Sequence, residues 1–426
     1  MKRQLIAAAA LALLLQTPLI SQTRPNQRSL KRNTNQASRT GHTSQKPKPR
    51  PNLATEPTLY VVGYAHLDTE WRWEYPQTIN EYLPKTMRNN FAFFEKYPNY
   101  IFNFTGANRY RLIKEYYPSD FERLKQYVAA GRWFPAGSSM EEGDVNSPSA
   151  ESIIRQILYG NNWFRKEFGM ASEEYMLPDC FGFPASLPSI LAHSGIKGFS
   201  TQKLSSAWQP APHVGGPDSP QQTPIGIPFN VGLWEGPDGQ TVIAALNPLS
   251  YGSQVTYDIS KSPSASTAVS SAAPQPAQSR GRAQEDWVKR IQINGNLTGV
   301  FTDYHYVGTG DVGGSPNENS VRLMEAITTK REASIPQTGP SSATNDDTMV
   351  QVGDGPINVI WSKADQMFLD LLRCCKTTKL PRYKGDLELI NHPPDRLRRR
   401  LIKNVGTARM NCLLMLLRRL RWRLNG

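Results

Sequence analysis

The sequence predicts an α/β protein built around a parallel β-sheet, and three observations favour this fold. First, segments of strand and helix character alternate between residues 58 and 201. Second, two apolar segments end at polar residues, His66 and Asp68 in one case and Asp179 in the other. Repeated β-α units form parallel sheets, whose functional side chains lie at the carboxyl ends of the strands. Third, 426 residues are enough to bury the core of a large domain.

Each predicted element rests on local features of the sequence. One helix stops before Pro98, because the residue that precedes a proline disfavours helical backbone. Another begins after Ser149 and has apolar residues at helical spacing. The strands are predicted over 59–62, 100–104, 133–136, 174–177 and 198–201, and the helices over 77–96, 118–130, 150–158 and 187–194.

Beyond residue 205 the alternation of strands and helices is weaker. Residues 205–230 are rich in Pro, Gly, Ser and Gln and predict a long surface loop. Residues 231–234 and 241–246 flank a Gly-Pro-Asp-Gly turn and predict a hairpin. The stretches 260–283 and 334–348 have the composition of flexible segments.

The amino-terminal 56 residues predict an exported protein. Residues 1–21 contain Lys2 and Arg3 followed by an apolar stretch too short to span a bilayer, which is typical of a bacterial secretory signal peptide. Residues 22–56 have hardly any large apolar side chain and predict a disordered linker. We therefore expect a periplasmic or secreted protein without an integral membrane span after signal cleavage.

The positive charge is concentrated at the two ends of the chain. Residues 1–56 and residues 393–426 each carry ten Lys and Arg against one acid, whereas the formal net charge of the whole chain is +13. The middle, 57–392, is therefore slightly acidic. Because no basic groove with interleaved aromatic residues occurs there, the sequence does not predict a nucleic-acid partner.

His66 and Asp68 form a His-x-Asp pattern at the end of a predicted strand. Side chains alternate between the two faces of a strand, so this imidazole and this carboxylate lie on the same face. Together with a second carboxylate, Asp179, they suit a metal site with mixed nitrogen and oxygen ligands. The alternatives are a hydrogen-bonded structural pair for the first two residues and an N-cap for Asp179.

Several motifs, taken in their order and spacing, resemble the N-terminal catalytic domain of glycoside hydrolase family 38, the α-mannosidases. The resemblance covers residues 57–392. The motifs are HLDTEWRW at 66–73, the stretch from GRW to ESIIRQILYG at 131–160, LPDCFGF at 177–183, LWEGPDG at 233–239, GDVGGSP at 310–316 and LPRYKGDL at 380–387, followed by His392.

The resemblance implies a seven-stranded β/α barrel, here incomplete at its carboxyl end, and one zinc ion. The implied zinc ligands are His66, Asp68, Asp179 and His392. Asp179 would also be the nucleophile of a retaining enzyme that hydrolyses terminal α-mannosides of glycans. Zinc would bind two adjacent sugar hydroxyls and orient the ring for attack.

A retaining glycosidase also needs a carboxylic acid roughly 5–5.5 Å from its nucleophile, to protonate the departing oxygen. Asp311 is the candidate, because neighbouring glycines would allow backbone and sugar to approach closely. Trp71 would stack on the sugar, and Lys203 would contact its hydroxyls. The alternatives are a turn residue for Asp311, a packing role for Trp71, a solvated Lys203 and an ordinary histidine for His392.

The resemblance ends at His392, and the basic tail 393–426 does not continue it. A shifted reading frame would explain this tail, because permitted codons for residues 393–400, read two bases later, encode Ala-Gly-Ser-Leu-Thr-Ser-Gln. A basic amphipathic helix on a membrane or on nucleic acid is the alternative. We expect a C-terminally truncated domain with weak or no hydrolase activity, because a barrel needs all its strands and a metal ligand needs support.

The leading hypothesis is a zinc-dependent retaining α-mannosidase with a carbohydrate substrate. A second hypothesis is a non-catalytic, carbohydrate-binding remnant. A third is a metal-dependent polysaccharide deacetylase, since that class also uses Asp and His at barrel strand ends.

Overall fold

The computed structural model describes most of the region that the resemblance covers. The predicted signal peptide, residues 22–49 of the predicted linker, His392 and the basic tail lie outside the described residues, so the hypotheses about them stay predictions. The described ranges are 50–206, 228–263, 284–335 and 349–388.

Residues 50–56, which composition assigned to a disordered linker, are packed against the domain. Leu53 is fully buried, and its carbonyl accepts a hydrogen bond from Phe301 N at 2.7 Å. Arg50 forms an ion pair with the buried Asp370 at 3.0 Å. One apolar residue in a polar stretch therefore begins the ordered domain earlier than the composition indicated.

The described elements alternate as the sequence predicted as far as residue 200, and the hairpin is confirmed. The strands are β1 Thr58–Ala65, β2 Phe102–Thr105, β3 Trp133–Ala136, β4 Glu174–Met176, β5 Gly198–Ser200, β6 Val231–Glu235, β7 Thr241–Ala245, β8 Thr302–Thr309, β9 Glu332–Ser334, β10 Met349–Gln351, β11 Asn358–Trp361 and β12 Arg382–Lys384. The helices are α1 Tyr75–Gln77, a π-helical segment Thr78–Tyr82, α2 Leu83–Lys96, α3 Ala107–Tyr116, α4 Pro118–Ala129, α5 Ala150–Phe168, α6 Leu187–His193, α7 Lys203–Ser206, α8 Trp287–Thr298, α9 Glu318–Thr329, α10 Gln366–Cys374 and a 3₁₀ turn Thr377–Lys379.

The strands form two five-stranded sheets and one small antiparallel pair. The first sheet has the order β11-β1-β2-β3, and β8 pairs with β1 along the whole of β1; all of these pairs are parallel. The second sheet has the order β12-β6-β7-β5-β4 and is parallel except for the β6-β7 hairpin. Strands β9 and β10 form the antiparallel pair.

A closed seven-stranded barrel is not found among the described strands, although the α/β class and the parallel pairing are confirmed. The two sheets meet where β3 precedes β4, and hydrogen bonds that involve side chains join them there. Gly137 N donates to Glu174 Oε1 at 2.8 Å, and Ser138 Oγ donates to the Ser172 carbonyl at 2.6 Å. Backbone pairing is replaced by side-chain contacts at this junction.

Strand β8 was not predicted, although it is central to the first sheet. Its sequence, TDYHYVGT, contains two polar residues that interrupt the apolar pattern. Both are buried and satisfied: Asp303 accepts from Arg290 Nε at 2.9 Å, and His305 Nδ1 lies 3.0 Å from the Pro248 carbonyl oxygen. The partners that make the strand possible come from distant parts of the chain.

The predicted start of α5 is confirmed in detail. Ser149 is its N-cap, and the side chain accepts a hydrogen bond from Ser152 N, which satisfies one of the free amides of the first turn. The helix ends at Gly169, whose φ of 70° terminates it in left-handed backbone. Searched over the described residues, the helices include none with the length and apolar character needed to cross a membrane.

Candidate active site

The candidate site lies where β1 and β8 end. Backbone hydrogen bonds continue past the ends of both strands: His66 N donates to the Thr309 carbonyl and Asp68 N donates to the Asp311 carbonyl, each at 2.9 Å. The parallel register of the two strands therefore brings Asp68 beside Asp311. These residues are 243 positions apart in the sequence, and only the pairing of β1 with β8 makes them neighbours.

His66 is almost fully buried, and its two ring nitrogens face different surroundings. Nδ1 lies 3.0 Å from Glu142 Oε2 and 3.1 Å from the Tyr64 hydroxyl oxygen. Nε2 has no hydrogen-bond partner within the described part of the chain, yet it lies 3.3 Å from Asp68 Oδ1 and 3.8 Å from Asp179 Oδ2. One nitrogen is thus held by the protein, and the other faces two carboxylates.

The surrounding acids determine the charge of His66. Burial alone would lower the pKa of its imidazole, but the carboxylates of Glu142 and Asp68 outweigh burial and raise that pKa to about 9. Opposite charges within a few ångströms favour the charged form of each partner. The site thus attracts positive charge.

Glu142 is a buried carboxylate that the sequence analysis did not single out. Its Oε1 accepts hydrogen bonds from the Tyr64 hydroxyl at 2.5 Å, from Arg109 Nη1 at 3.1 Å and from the Thr105 hydroxyl. Burial would raise the pKa of Glu142, but the positive charges of His66 and Arg109 lower it. Glu142 lies in the loop after β3, and no local pattern of the sequence distinguishes it.

Asp179 and Asp311 converge on one hydroxyl group. The Tyr251 hydroxyl oxygen lies 3.1 Å from Asp179 Oδ2 and 2.9 Å from Asp311 Oδ1. The Tyr251 ring also stacks on the His66 imidazole at a centroid distance of 5.0 Å. Burial raises the pKa of Tyr251, and Asp311 raises it further, so the phenol stays protonated and donates its single proton. Tyr251 lies in an irregular loop after β7 and had no pattern that could identify it.

The backbone around Asp311 is adapted to this contact. Asp311 has a φ of 68°, a left-handed conformation that aspartate adopts more readily than most residues. At Gly310 a Cβ atom would lie 2.1 Å from Cε2 of Tyr251. From the sequence we expected this glycine to let the sugar approach the backbone. In the structure the aromatic ring fills it.

Lys203 follows β5 and contacts Asp179 rather than open solvent. Its ammonium group forms an ion pair with Asp179 Oδ1, and the Nζ atom lies 4.8 Å from the centre of the Phe181 ring. Burial lowers the pKa of Lys203, whereas the nearby Asp311 and Asp68 oppose that shift. The structure therefore places this cation on the predicted nucleophile.

Trp71 lies in the loop that follows Asp68, and 55% of its surface is exposed. Its ring meets the edge of Trp73 at a centroid distance of 6.0 Å, and the Arg72 guanidinium lies 4.2 Å from its ring centre. The exposed ring leaves room for a ligand. Stacking on a sugar stays a prediction.

The residues around His66 Nε2 fit a divalent metal ion. One ligand atom each from His66, Asp68 and Asp311 lies within 4.8 Å of the other two, and Asp179 Oδ2 also faces the imidazole. A buried imidazole nitrogen without a hydrogen-bond partner, facing carboxylates and braced at its other nitrogen, is the donor set that metal sites use. Of the four predicted ligands, His66 and Asp68 belong to this group, Asp179 Oδ2 lies 3.8 Å from His66 Nε2, and His392 lies outside the described residues.

Residues 56–346 match the model of the glycosyl hydrolases family 38 N-terminal domain. Alpha-mannosidase G of Dictyostelium discoideum is 36% identical over 204 residues, which are 48% of this chain and 17% of that protein. Alpha-mannosidase 2C1 of Homo sapiens is 33% identical over 198 residues, 46% of this chain and 18% of that protein. The chain thus matches less than a fifth of the length of these curated relatives.

Among solved structures, an alpha-mannosidase from Enterococcus faecalis V583 superposes with a TM-score of 0.50 at 16% identity. The superposition covers 78% of this chain and 31% of that one. At this identity the likeness concerns the fold alone. The family model, in contrast, matches well over half of the chain, and its range includes every site residue described above. His392 lies beyond that range. The chain therefore belongs to glycosyl hydrolase family 38, and it carries the N-terminal domain of that family.

Proposed function

We propose that the site hydrolyses terminal α-mannosides of glycans with retention of configuration and with the help of zinc. The observation that carries this proposal is the convergence of Asp179 and Asp311 on one hydroxyl, beside a His66 nitrogen without a hydrogen-bond partner in the described chain. The names of the relatives support the choice of sugar.

The distance between the two carboxylates supports retention over inversion. Because Asp179 Oδ2 and Asp311 Oδ1 lie 3.1 and 2.9 Å from the same Tyr251 oxygen, these two atoms are at most about 6 Å apart. Retaining glycosidases hold their carboxyl groups ≈ 5–5.5 Å apart, and inverting enzymes leave ≈ 6.5–9.5 Å for a water molecule. Direct attack by a carboxylate fits the shorter distance.

In the first step, a carboxylate oxygen of Asp179 bonds to the anomeric carbon while the glycosidic bond to the departing oxygen breaks. Asp311 gives its proton to that oxygen. In the second step, Asp311 removes a proton from water, and the water oxygen displaces Asp179 from the anomeric carbon. Lys203 favours the ionised form of Asp179, which is the form that attacks.

His66, Asp68 and Asp179 would hold the metal, and we propose His392 as the fourth ligand. Leu387, five residues before His392 in the sequence, pairs with the loop that follows Asp179, because Phe183 and Leu387 exchange two backbone hydrogen bonds of 2.9 Å. When bound, zinc supplies a Lewis acid that orients adjacent sugar hydroxyls. Asp311 is the competing ligand, because it lies in the same group of donor atoms.

The test uses the full chain, loaded with zinc, and a chromogenic α-mannoside. We expect slow release of the chromophore, in line with the weak activity expected from the sequence, α-mannose as the first anomer detected by NMR, and no turnover by Asp179→Asn. A fluorinated mannosyl fluoride that slows the second step should leave one mannosyl unit on the peptide that contains Asp179, as mass spectrometry would show.

Three outcomes would contradict the proposal. Binding of mannosides without turnover would identify a carbohydrate-binding remnant. Release of acetate from an acetylated polysaccharide without glycosidic cleavage would identify a deacetylase. β-Mannose as the first product would exclude direct attack by Asp179.

A further inference from the structure

Glu142 is a buried carboxylate whose two oxygens face different groups. Its side chain is 3% exposed, and its Oε1 accepts from three donors on three elements: the hydroxyls of Tyr64 and Thr105, and the guanidinium of Arg109. Its Oε2 lies 3.0 Å from His66 Nδ1. These contacts leave the carboxylate little freedom to turn.

The two groups that face His66 Nδ1, the Tyr64 hydroxyl at 3.1 Å and Glu142 Oε2 at 3.0 Å, determine which ring nitrogen carries the hydrogen. The Tyr64 hydroxyl donates its proton to Glu142 Oε1, so its oxygen can only accept from the imidazole. Glu142 also only accepts, because its carboxylate is paired with the Arg109 guanidinium at 3.1 Å and has no proton to give. Nδ1 therefore carries a hydrogen in either charge state, and once the ring gives up its second proton, as metal binding requires, the lone pair lies on Nε2.

The lone pair on Nε2 is the feature that a metal site requires. Nε2 faces Asp68 Oδ1 at 3.3 Å and Asp179 Oδ2 at 3.8 Å, and it has no hydrogen-bond partner in the described ranges. Metal-binding histidines commonly donate their second ring N–H to a carboxylate, which determines both the tautomer and the orientation of the ring.

We propose that Glu142 is a positioning residue of the metal centre: it keeps the proton of His66 on Nδ1 and aims Nε2 at the metal. This inference rests on the proposed function only in that the site holds a metal. Arg109 balances the charge of Glu142 in the interior, and its Nη2 also donates to the Leu67 carbonyl between the two candidate ligands His66 and Asp68.

The decisive variant is Glu142→Gln, because it keeps the size of the side chain and replaces an acceptor 3.0 Å from His66 Nδ1 by an amide that can donate. If its amide nitrogen faces His66, Nδ1 must accept, and the proton moves to Nε2, where it blocks metal binding. A purely structural carboxylate would have no such effect on the metal. Glu142→Asp keeps the charge beside Arg109 but withdraws the carboxylate by one methylene, so it separates charge balance from contact with His66.

Thr105→Val is the matched control. It removes one hydrogen bond to the same carboxylate with little change in shape and does not touch His66. Zinc affinity of the full chain is measured by competition with a chromogenic chelator, and the stability of the metal-free chains is measured by urea unfolding. Selective ¹⁵N labelling of histidine reports which nitrogen of His66 carries the proton.

We expect Glu142→Gln to raise the zinc dissociation constant about 10- to 100-fold, the usual effect of losing such a partner. The zinc dissociation constant of Glu142→Asp should lie between those of that variant and the parent. The dissociation constant of Thr105→Val should stay within about threefold of the parent value. Equal zinc affinity in Glu142→Gln and the parent would overturn the inference. Equal losses of zinc affinity in Glu142→Gln and Thr105→Val would also overturn it.

The parent chain separates this inference from the proposed function. A parent that binds zinc but does not hydrolyse α-mannosides contradicts the proposed function, and the ratio of zinc affinities still decides the role of Glu142. A parent that hydrolyses mannosides while Glu142→Gln retains full zinc affinity contradicts only the role of Glu142. A parent that takes up no divalent metal contradicts the metal centre, and with it the role proposed for Glu142.

Discussion

Tyr251 connects the candidate nucleophile, the candidate acid and a candidate metal ligand through one side chain. Its single proton can go to Asp179 Oδ2 or to Asp311 Oδ1, but not to both at once. The other carboxylate must then be protonated, solvated or bound by another group. This hydroxyl therefore links the hydrogen bonding of the two carboxylates.

Tyr251→Phe removes this link and keeps the ring that stacks on His66. We expect kcat/KM for an aryl mannoside to fall about 10- to 100-fold, because a hydrogen bond to a charged group is worth ~1.5–3 kcal/mol. The pH profile should also change, because two carboxylates without a shared donor repel each other. Tyr257→Phe, which loses a hydrogen bond to the Glu285 carbonyl instead, is the control. Unchanged kinetics in Tyr251→Phe would argue against the link.

Asp311→Asn separates the roles of general acid and metal ligand. Asparagine tolerates the φ of 68° at this position as well as aspartate does. As the general acid, Asp311 should matter most for poor leaving groups, so we expect a loss of about 10²- to 10⁴-fold on an alkyl mannoside and a much smaller loss on a dinitrophenyl mannoside. Zinc content, measured by elemental analysis, should equal that of the parent. Loss of zinc would instead assign Asp311 to the metal.

At the scale of elements, two loops assemble the site because β1 and β8 pair without a break. The backbone bonds His66 to Thr309 and Asp68 to Asp311 continue the ladder into the loops. The loop after β7 then approaches this edge, and Gly310 leaves the space that Tyr251 fills. The geometry of the candidate site thus depends on contacts between the loops that follow β1, β7 and β8.

Gly310→Ala tests this contact. Its Cβ would lie 2.1 Å from the Tyr251 ring, and the ring must move. We expect kcat/KM to fall at least as far as in Tyr251→Phe. Gly252→Ala, in the same loop as Tyr251, is the control, because its Cβ would meet only Ser250 Oγ at an ordinary 3.6 Å. Equal kinetics in the two alanine variants would show that the ring adapts and that its position is not critical.

Strand β8 depends on a buried ion pair, and this explains why its sequence pattern is weak. Arg290 on α8 contacts Asp303 Oδ2 at 2.9 Å, and the Asp303 side chain is 2% exposed. Burial raises the pKa of Asp303, whereas Arg290 lowers it. An aspartate inside a strand therefore interrupts the apolar pattern by which strands are predicted. Asp303 is stable in β8 because Arg290, on the preceding helix, pairs with it.

Arg290→Met should destabilise the protein by ~3–5 kcal/mol, because it leaves a buried carboxylate without its cation. Adding Asp303→Asn should recover part of this loss, since the double variant buries no charge at the pair. Urea unfolding of the parent, both single variants and the double variant measures the coupling. Additive losses would show that the pair does not act as a unit.

For the whole molecule, the junction of the two sheets contains a buried acid. Glu174 on β4 is fully buried and accepts from Gly137 N, and burial, with a contribution from Asp365, raises its pKa from 4.5 to about 8. Between these two values the folded chain keeps a proton that the unfolded chain releases. The contribution of Glu174 to stability is thus complete below about pH 4.5 and is lost as the pH rises to about 8.

Glu174→Gln should remove this dependence. Relative to the variant, the parent should lose up to ~1.4 kcal/mol of unfolding free energy for each pH unit between about 5 and 8. Urea unfolding of both proteins at several pH values gives the difference, in which the contributions of other groups cancel. A constant difference across this range would show that Glu174 is not protonated in the folded state.

Much of the fold follows from local pattern. The first five strands and the helices between them, apart from α3, begin within a few residues of their predicted positions, because apolar runs, Pro98 and Ser149 act through neighbouring residues, although α5 continues ten residues past its predicted end. Elements after residue 284 were not predicted. Strand β8 contains Asp303 and His305, and their burial is possible only with Arg290 and the Pro248 carbonyl.

The residues of the candidate site likewise fall into those with a local sequence signal and those without one. His66, Asp68, Asp179 and Asp311 could be identified from the sequence, by their position after apolar runs and by the resemblance of their motifs. Glu142 and Tyr251 were missed, since one is defined by what it bonds to and the other by where its loop folds. Lys203 was identified, but its contact with Asp179 was not.

The sequence by itself determined the α/β class, the family and the residue types of the site, because these depend on local spacing and on motifs. Only the tertiary structure decided which nitrogen of His66 is held by Glu142, which hydroxyl joins Asp179 to Asp311, and how the strands pair. The physical reason is that a hydrogen bond or an ion pair between residues far apart in the chain leaves no periodic trace in the sequence. It exists only once the strands have paired and brought their loops together.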